Sequence, residues 1–482
     1  MNVLFATSEL YPLIKTGGLA DVSASLAATL DALGHDVRIM LPAYGEVLAK
    51  VERTERIASL SVMNHAVALE RCWVTDSKIE VWLVRAPLFD RPGNPYLAAD
   101  GAPWSDNAAR FALFCRAVAA VAMARAGVEW QPDVLHCHDW QSGLAPALLA
   151  CEKRHPAVVY TIHNLSYQGL FPRATFTRLH LPETLWSPAA LEFHGQLSFM
   201  KGGLIFSDRI TAVSPGYARE IQTPEFGCGL EGLLRSRGDV LTGIVNGIDT
   251  EAWHPARDPY LVKNYNIDTL ADKRANQEAL EHAFGLPPRP DAMLIGMIGR
   301  LVEQKGIDLL LGALPELVTW PLRVVLLGTG QPEYEQALSD WQQRHPETLS
   351  VKIGYDERLA HRIEAGADVF LMPSRFEPCG LNQMYSQRYG AVPIVRRTGG
   401  LQDTVTDTTP ETVEAGTATG FIFDEPTSLA LLHTIDRALA LYAKPDRWRA
   451  LARNGMRQDF TWRRSADDYV SVYEQVLGAR RA

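Results

Sequence analysis

Cysteine is scarce and scattered in this chain. The six cysteines, at positions 72, 115, 137, 151, 228 and 379, form no Cys-x-x-Cys pair, so neither a disulfide framework nor a zinc module is expected. No Asp-x-Asp occurs, which leaves a metal-bridged diphosphate without an anchor and predicts no metal site. A basic excess is missing too. The 47 Lys and Arg stand against 56 Asp and Glu, a net charge of −9, which argues against a general binder of nucleic acid or anionic membrane. Long apolar runs are absent, since the most apolar stretch, 111–127, is broken by Arg116 and Arg125. Residues 1–6 carry neither a basic leader nor an adequate apolar segment for targeting. The expectation is a reduced, soluble, cytoplasmic protein with no nucleic-acid or membrane partner.

What is present is ordinary for a soluble globular protein. The chain has 482 residues, 47% of them hydrophobic and 21% charged, enough for large cores in about two to four domains. The apolar run 2–7 reads as a buried strand. Leu19, Val22, Leu26, Leu30 and Leu33 then recur at helical spacing, Gly34 ends that helix, and 36–41 reads as a second strand. Strand, Gly-rich loop, helix and strand make a βαβ unit and imply a parallel sheet. Further strands are predicted at 133–138, 157–162 and 209–213, and Ser214-Pro215 reads as a helix cap followed by proline at the first position. The alternation restarts at 292–298, 323–327, 349–353, 368–372, 392–395 and 420–423, with helical patterns between. The stretch 246–291 is less regular. The last residues, Trp462, Ala466, Tyr469, Tyr473 and Val476 among them, read as an amphipathic helix that needs a surface. These patterns predict two doubly wound, Rossmann-like α/β domains, 1–245 and 246–460, with a deep cleft between them and a C-terminal helix at 461–482.

One feature owes nothing to composition. Thr16-Gly17-Gly18-Leu19-Ala20-Asp21 recurs as Thr398-Gly399-Gly400-Leu401-Gln402-Asp403, five of six positions matching, each copy preceded by a basic residue, Lys15 or Arg397. Glycine lets a backbone approach an anion closely, and the first N–H groups of a helix favour negative charge. Tight strand-to-helix turns would explain either copy alone; the repetition with a basic neighbour favours a diphosphate. Arg300 and Lys305, on the loop after a predicted strand, add a fork donor and a point cation that suit a departing diphosphate without metal.

Together these residues resemble the bacterial glycogen synthases and plant starch synthases. The resemblance runs through Lys15–Val22, His138-Asp139-Trp140, Thr161–Asn164, Asn246–Asp249, Gly299–Gly306, Pro373–Gly380 and Arg397–Asp403, and so spans essentially the whole chain. It implies a fold of the GT-B type and a retaining transfer of glucose from ADP-glucose to the non-reducing end of an α-1,4-glucan, with ADP released and no cofactor. The donor would lie mainly on the C-terminal domain and the glucan on the N-terminal one. Arg300 and Lys305 would clamp the leaving diphosphate, stabilising charge that builds in the transition state. His163 would hydrogen-bond the transferred sugar near its anomeric carbon, and Glu377 would hold the glucose hydroxyls. Lys15, Gly17, Gly18, Asp21, Asn246, Tyr355, Cys379, Gly380, Thr398, Gly399 and Gly400 would complete the donor site, with Tyr355 near the adenine. Asp139, Trp140 and Tyr96 would serve the acceptor.

Each assignment has a duller counterpart. A strand-end histidine satisfied by backbone, a carboxylate near a helix start, a small buried cysteine and a helix-capping aspartate need no substrate. The aromatics Tyr11, Tyr96, Trp104, Trp140, Tyr167 and Phe171, placed in loop regions, read equally as a glucan track or as packing anchors. One departure is informative: many related retaining transferases carry a second glutamate eight residues after the first, where this chain has Tyr385. The bacterial synthases lack it as well. With no carboxylate assigned beneath the anomeric carbon, a front-face route is favoured over double displacement. The open alternatives are a UDP-glucose donor or another α-glucoside product on the same fold, a catalytically silent glucan-binding protein, and a pyridoxal-phosphate phosphorylase of similar architecture.

Overall fold

The structure, a computed structural model, describes residues 1–74, 79–98 and 100–481. The chain divides into two compact units, Met1–Gly247 with Trp462–Ala482, and Ile248–Thr461. In the first, the strands in chain order are β1 (Asn2–Ala6), β2 (Asp36–Pro42), β3 (Glu55–Val62), β4 (His65–Trp73), β5 (Glu80–Arg85), β6 (Val134–His138), β7 (Ala157–Ile162), β8 (Leu170–Pro172), β9 (Glu192–Phe193), β10 (Gln196–Ser198), β11 (Arg209–Ala212) and β12 (Leu241–Gly243). Nine of them form one sheet in the order β12-β11-β7-β6-β1-β2-β5-β4-β3. It is parallel from β12 to β5, and the β5-β4-β3 end is antiparallel. β8, β10 and β9 make a separate small sheet.

The sequence pattern predicts β1, β2, β6, β7 and β11, but neither the short parallel strand β12 nor the β5-β4-β3 end. β3 is mostly exposed or half-buried, so it lacks the continuous apolar run that marks a strand covered on both faces.

The second unit holds β13 (Met293–Ile298), β14 (Leu322–Gly328), β15 (Leu349–Ile353), β16 (Val369–Met372), β17 (Val392–Arg396) and β18 (Phe421–Phe423), in the all-parallel order β15-β14-β13-β16-β17-β18. Alternation along these strands feeds two cores. Met293, Ile295, Met297, Val324 and Leu326 enter one, while Leu294, Val325 and Leu327 enter the other, so helices cover both faces.

Both sheets reverse their strand order at a definable place. From β1 the chain steps to β2 on one side, and β6 later arrives on the other. From β13 it steps to β14, and β16 arrives opposite. Ligand crevices of doubly wound sheets lie beyond the carboxyl ends of such strand pairs. Those ends carry Thr7–Glu9 and Asp139 in the first unit, and Gly299–Lys305 and Pro373–Gly380 in the second.

Candidate functional site

In the first unit the parallel register sets the site. His138 pairs with Thr161, and His136 with Val159. With side chains alternating at a period of two, His136, His138, Thr161 and His163 fall on one face of the sheet. His163 Nε2 lies 3.0 Å from His138 Nδ1, and the His136 and His138 rings are 4.1 Å apart. Burial disfavours the imidazolium form throughout. The pKa values of His136 and His163 are pushed down to about 3, and that of His138 well below the ordinary imidazole range, so all three are neutral at pH 7. His163 as a residue is half-buried.

Asp139 follows β6 with φ 54, a left-handed conformation uncommon for a residue other than glycine. That strained turn aims the carboxylate at the next strand's end. Its Oδ1 accepts the backbone N–H of His163 at 2.8 Å and of Asn164 at 3.3 Å. Burial raises its pKa to about 7 despite those donors. Asp139 therefore fixes where His163 stands, a task the sequence reading did not give it.

The loop that carries Lys15 holds a surprise. The N–H groups of Thr16 and Gly17, expected to face a ligand anion, instead donate to Oε2 of buried Glu9, at 2.6 and 3.1 Å. The Thr16 hydroxyl (2.6 Å) and the Tyr96 hydroxyl (2.8 Å) donate to Glu9 Oε1. An anion seat is present, and the chain's own carboxylate fills it. Lys15 Nζ pairs with Asp21 at 2.9 Å on the first turn of the helix Gly18–Ala32. Gly17 has extended φ, and a Cβ there would meet nothing within 4 Å, so the protein's own packing does not demand glycine.

Trp140 and Phe171 differ from their expected loop placement. Trp140 sits in the short helix Asp139–Ser142 and Phe171 in β8. The Trp140 ring packs 4.9 Å from Phe111, 5.9 Å from Phe171 and 6.3 Å from Phe199, as an anchor does. Tyr11 and Tyr167 are exposed. Asn246 is buried in the first unit, with its Oδ1 unpartnered among the described residues.

In the second unit, two loops meet beyond β13 and β16. Lys305 Nζ lies 2.6 Å from Glu377 Oε2, which also accepts from Ser374 Oγ at 3.1 Å. The loops are strapped together: Arg375 N–H donates to the Gln304 carbonyl at 2.8 Å, and the Gln304 amide to the Phe376 carbonyl at 3.3 Å. Arg300 reaches Gln304 Oε1 at 3.3 Å. The second glycine pair packs directly beneath. The N–H of Gly400 donates to the Glu377 carbonyl at 3.1 Å, so that donor, like those of Thr16 and Gly17, is occupied from within the chain. Gly399 has φ 44, and a Cβ on it would lie 2.0 Å from the Glu377 carbonyl oxygen. Only glycine fits there.

Thr398 and Cys379 are buried beside this junction. Gln383 fixes the Cys379–Gly380 turn by donating to both carbonyls at 3.1 Å. Tyr355 lies apart on the surface, 71% exposed, its hydroxyl donating to Glu357. Tyr385, standing where related transferases place a second glutamate, stacks 3.9 Å from Trp253. Trp253 stacks in turn on His361 at 3.7 Å, and His361 Nδ1 pairs with Asp258 at 2.7 Å. Among the described residues no group of three or more His, Cys, Asp or Glu is placed to hold a metal ion, and no helix is long and apolar enough to cross a membrane.

Sequence reasoning singled out Lys305, Glu377 and His163 and gave no role to Glu9, Ser374 or His138. Glu9 sits in an unremarkable stretch before Pro12, and only the fold reveals its partners.

Comparison with known proteins places these features. Residues 2–236 match the starch synthase catalytic domain, and residues 279–455 match glycosyl transferases group 1. The chain is 56% identical over 483 residues to glycogen synthase 1 of Methylococcus capsulatus, covering 100% of this chain and 98% of that one. It is 52% identical over 482 residues to the glycogen synthase of Thioalkalivibrio sulfidiphilus, covering 99% and 100%. Among solved structures, the catalytic domain of starch synthase IV from Arabidopsis thaliana, bound to ADP and acarbose, matches with a TM-score of 0.89 at 32% identity over 99% of both chains. A sucrose-phosphate synthase from Thermosynechococcus elongatus, with a TM-score of 0.62 at 17% identity over 99% of both chains, shares the fold.

Proposed function

This chain belongs to the glycogen synthase and starch synthase family of glycosyltransferases, two Rossmann-like domains of the GT-B type, and is an enzyme of glucosyl transfer in glycogen synthesis; from that premise we propose that its donor is ADP-glucose. Glucose goes to the non-reducing end of an α-1,4-glucan with retention of configuration, and ADP leaves. The observation that carries this reading is the Lys305–Glu377 pair beyond the switch point of the second sheet, 2.6 Å apart and strapped to the loop of Arg300. A cation held on a carboxylate is oriented by it, and the Lys305 ammonium keeps two further N–H donors for a leaving diphosphate while the pair stays intact. Arg300 and Lys305 supply the positive charge that the absence of Asp-x-Asp leaves to side chains.

Glu377 takes the glucose hydroxyls as an acceptor. An ion-paired carboxylate that also accepts from Ser374 is a weak nucleophile, which favours the front-face route over a covalent intermediate. His163, neutral and partly exposed, is the hydrogen-bonding partner of the transferred sugar. The ADP and acarbose of the Arabidopsis enzyme support an adenine nucleotide and an α-glucan as ligands here. The same reading places the enzyme in the cytoplasm, working without metal or cofactor.

The test is nucleotide release from ADP-glucose and UDP-glucose, with and without glycogen, in the presence of EDTA. The expected result is glycogen-dependent ADP release unaffected by the chelator. Lys305→Ala should lower kcat about 10²–10³-fold, the usual effect of removing one preorganised charge-stabilising donor. Faster UDP release would overturn the donor assignment and leave the family intact.

A further inference from the structure

His138 opens the His138-Asp139-Trp140 motif of the sequence yet has no role in the function described above. It is fully buried at the end of β6, and its ring lies between those of His136, at 4.1 Å, and His163, at 5.2 Å between centroids. Its Nδ1 stands 3.0 Å from Nε2 of His163. Its Nε2 is sealed in, with no hydrogen-bond partner among the described residues. The Phe5 ring packs against it, 5.0 Å between centroids.

We infer that His138 is the positioning residue of His163: its Nδ1–H donates to Nε2 of His163, so that Nδ1–H of His163 is the group offered to substrate. The inference rests on the reading that His163 meets the transferred sugar. Two neutral imidazoles joined by one hydrogen bond allow two proton arrangements. If His163 donated, the His138 proton would sit on Nε2, as an N–H buried away from every acceptor. Orphaned buried N–H groups are rarer than orphaned acceptors, so the other arrangement is favoured and leaves only a lone pair against ring carbons. A histidine's working nitrogen is set by what its other nitrogen bonds. Here the bond to His138 takes Nε2, and among the described residues nothing bonds Nδ1 of His163.

The rest of the column holds His138 still. His136 bonds Tyr473 through Nδ1 at 2.8 Å and Thr161 through Nε2 at 2.6 Å, and the backbone of His163 is pinned by Asp139. Both rings of the His138–His163 pair therefore have supported neighbours, and the tautomer is fixed before substrate arrives.

The experiment is long-range proton–nitrogen correlation on the full chain labelled with ¹⁵N-histidine at pH 7, with the His163 signals assigned by their loss in His163→Gln. The expected result is a protonated Nδ1 and a bare Nε2 on His163. A protonated Nε2 on His163 overturns the inference, whatever the kinetics of the His138 variants.

A kinetic arm separates positioning from packing. His138→Leu should lower kcat about ten- to a hundred-fold, as loss of an orienting partner does, with both KM values nearly unchanged. His138→Asn, whose side-chain amide nitrogen takes the place of Nδ1, should recover most of it; equal losses in the two variants would refute the hydrogen-bond role. Full activity of His163→Ala would remove the shared premise instead, a failure visible apart from the tautomer.

Discussion

Glu9 and Glu377 do related work in the two units, each bonded to a glycine loop of the repeated motif, one through its carboxylate and the other through its backbone carbonyl. Glu9 accepts from two backbone N–H groups and two hydroxyls, and so fixes the loop on which Lys15 stands. Glu9→Gln keeps the shape but turns an acceptor into a donor facing donors. It should cost about 1–3 kcal/mol of stability and raise the KM for ADP-glucose more than it lowers kcat, checked by thermal melts and initial rates. An unchanged melt and KM would remove Glu9 from the account.

Asp139 offers a pH test with a definite sign. Its folded pKa of about 7 lies above the ordinary 3.8, so between those values the folded state holds a proton that the unfolded state has released. Its contribution to stability is present below pH 3.8 and is lost as pH rises toward 7. Asp139→Asn keeps an acceptor for the His163 N–H and carries no charge. Its stability relative to the unaltered chain should rise between pH 4 and 7, then level off, in melts taken across that window. A difference independent of pH would contradict the burial argument.

At the scale of elements, the two copies of the glycine motif separate two reasons for glycine. Gly399 has no room for a methyl group and a left-handed φ, whereas Gly17 has extended backbone and open space. Gly399→Ala should displace the Glu377 loop, lowering turnover at least about 100-fold by misplacing a positioned group while circular dichroism stays that of the folded chain. Gly17→Ala should leave the melt within about 0.5 kcal/mol, as surface substitutions do, so any loss of rate there reports on the ligand's approach. Equal structural damage in both would erase the distinction.

The same scale shows what sequence can and cannot reveal. Most of the parallel strands are readable because burial on both faces demands continuous apolar runs, and the loops because glycine and charge recur at strand ends; the three residues of β12 are too short and too exposed for that signal. β3 was not readable, since half its face meets solvent. The partners of the site residues were unreadable for another reason: His138 and His163 lie 25 positions apart, and Lys305 and Glu377 lie 72 apart, joined only by strand register. Tyr385 could be read as a missing glutamate, but its stack on Trp253 and His361 could not.

For the whole molecule, membership of the family goes with a proposed division of labour between two sheets. The second unit carries the cations and the carboxylate proposed to grip the donor, and the first carries the neutral histidine column and its aspartate clasp. The polymer product tests that division as a whole.

The measurement is the transfer of labelled glucose from ADP-glucose into glycogen, followed by digestion with β-amylase, which removes maltose from non-reducing α-1,4 ends. The account predicts label in the glycogen, recovered almost entirely as maltose, and none above background with Glu377→Ala. Label that resists β-amylase, or ADP released with glucose left free in solution, would contradict it.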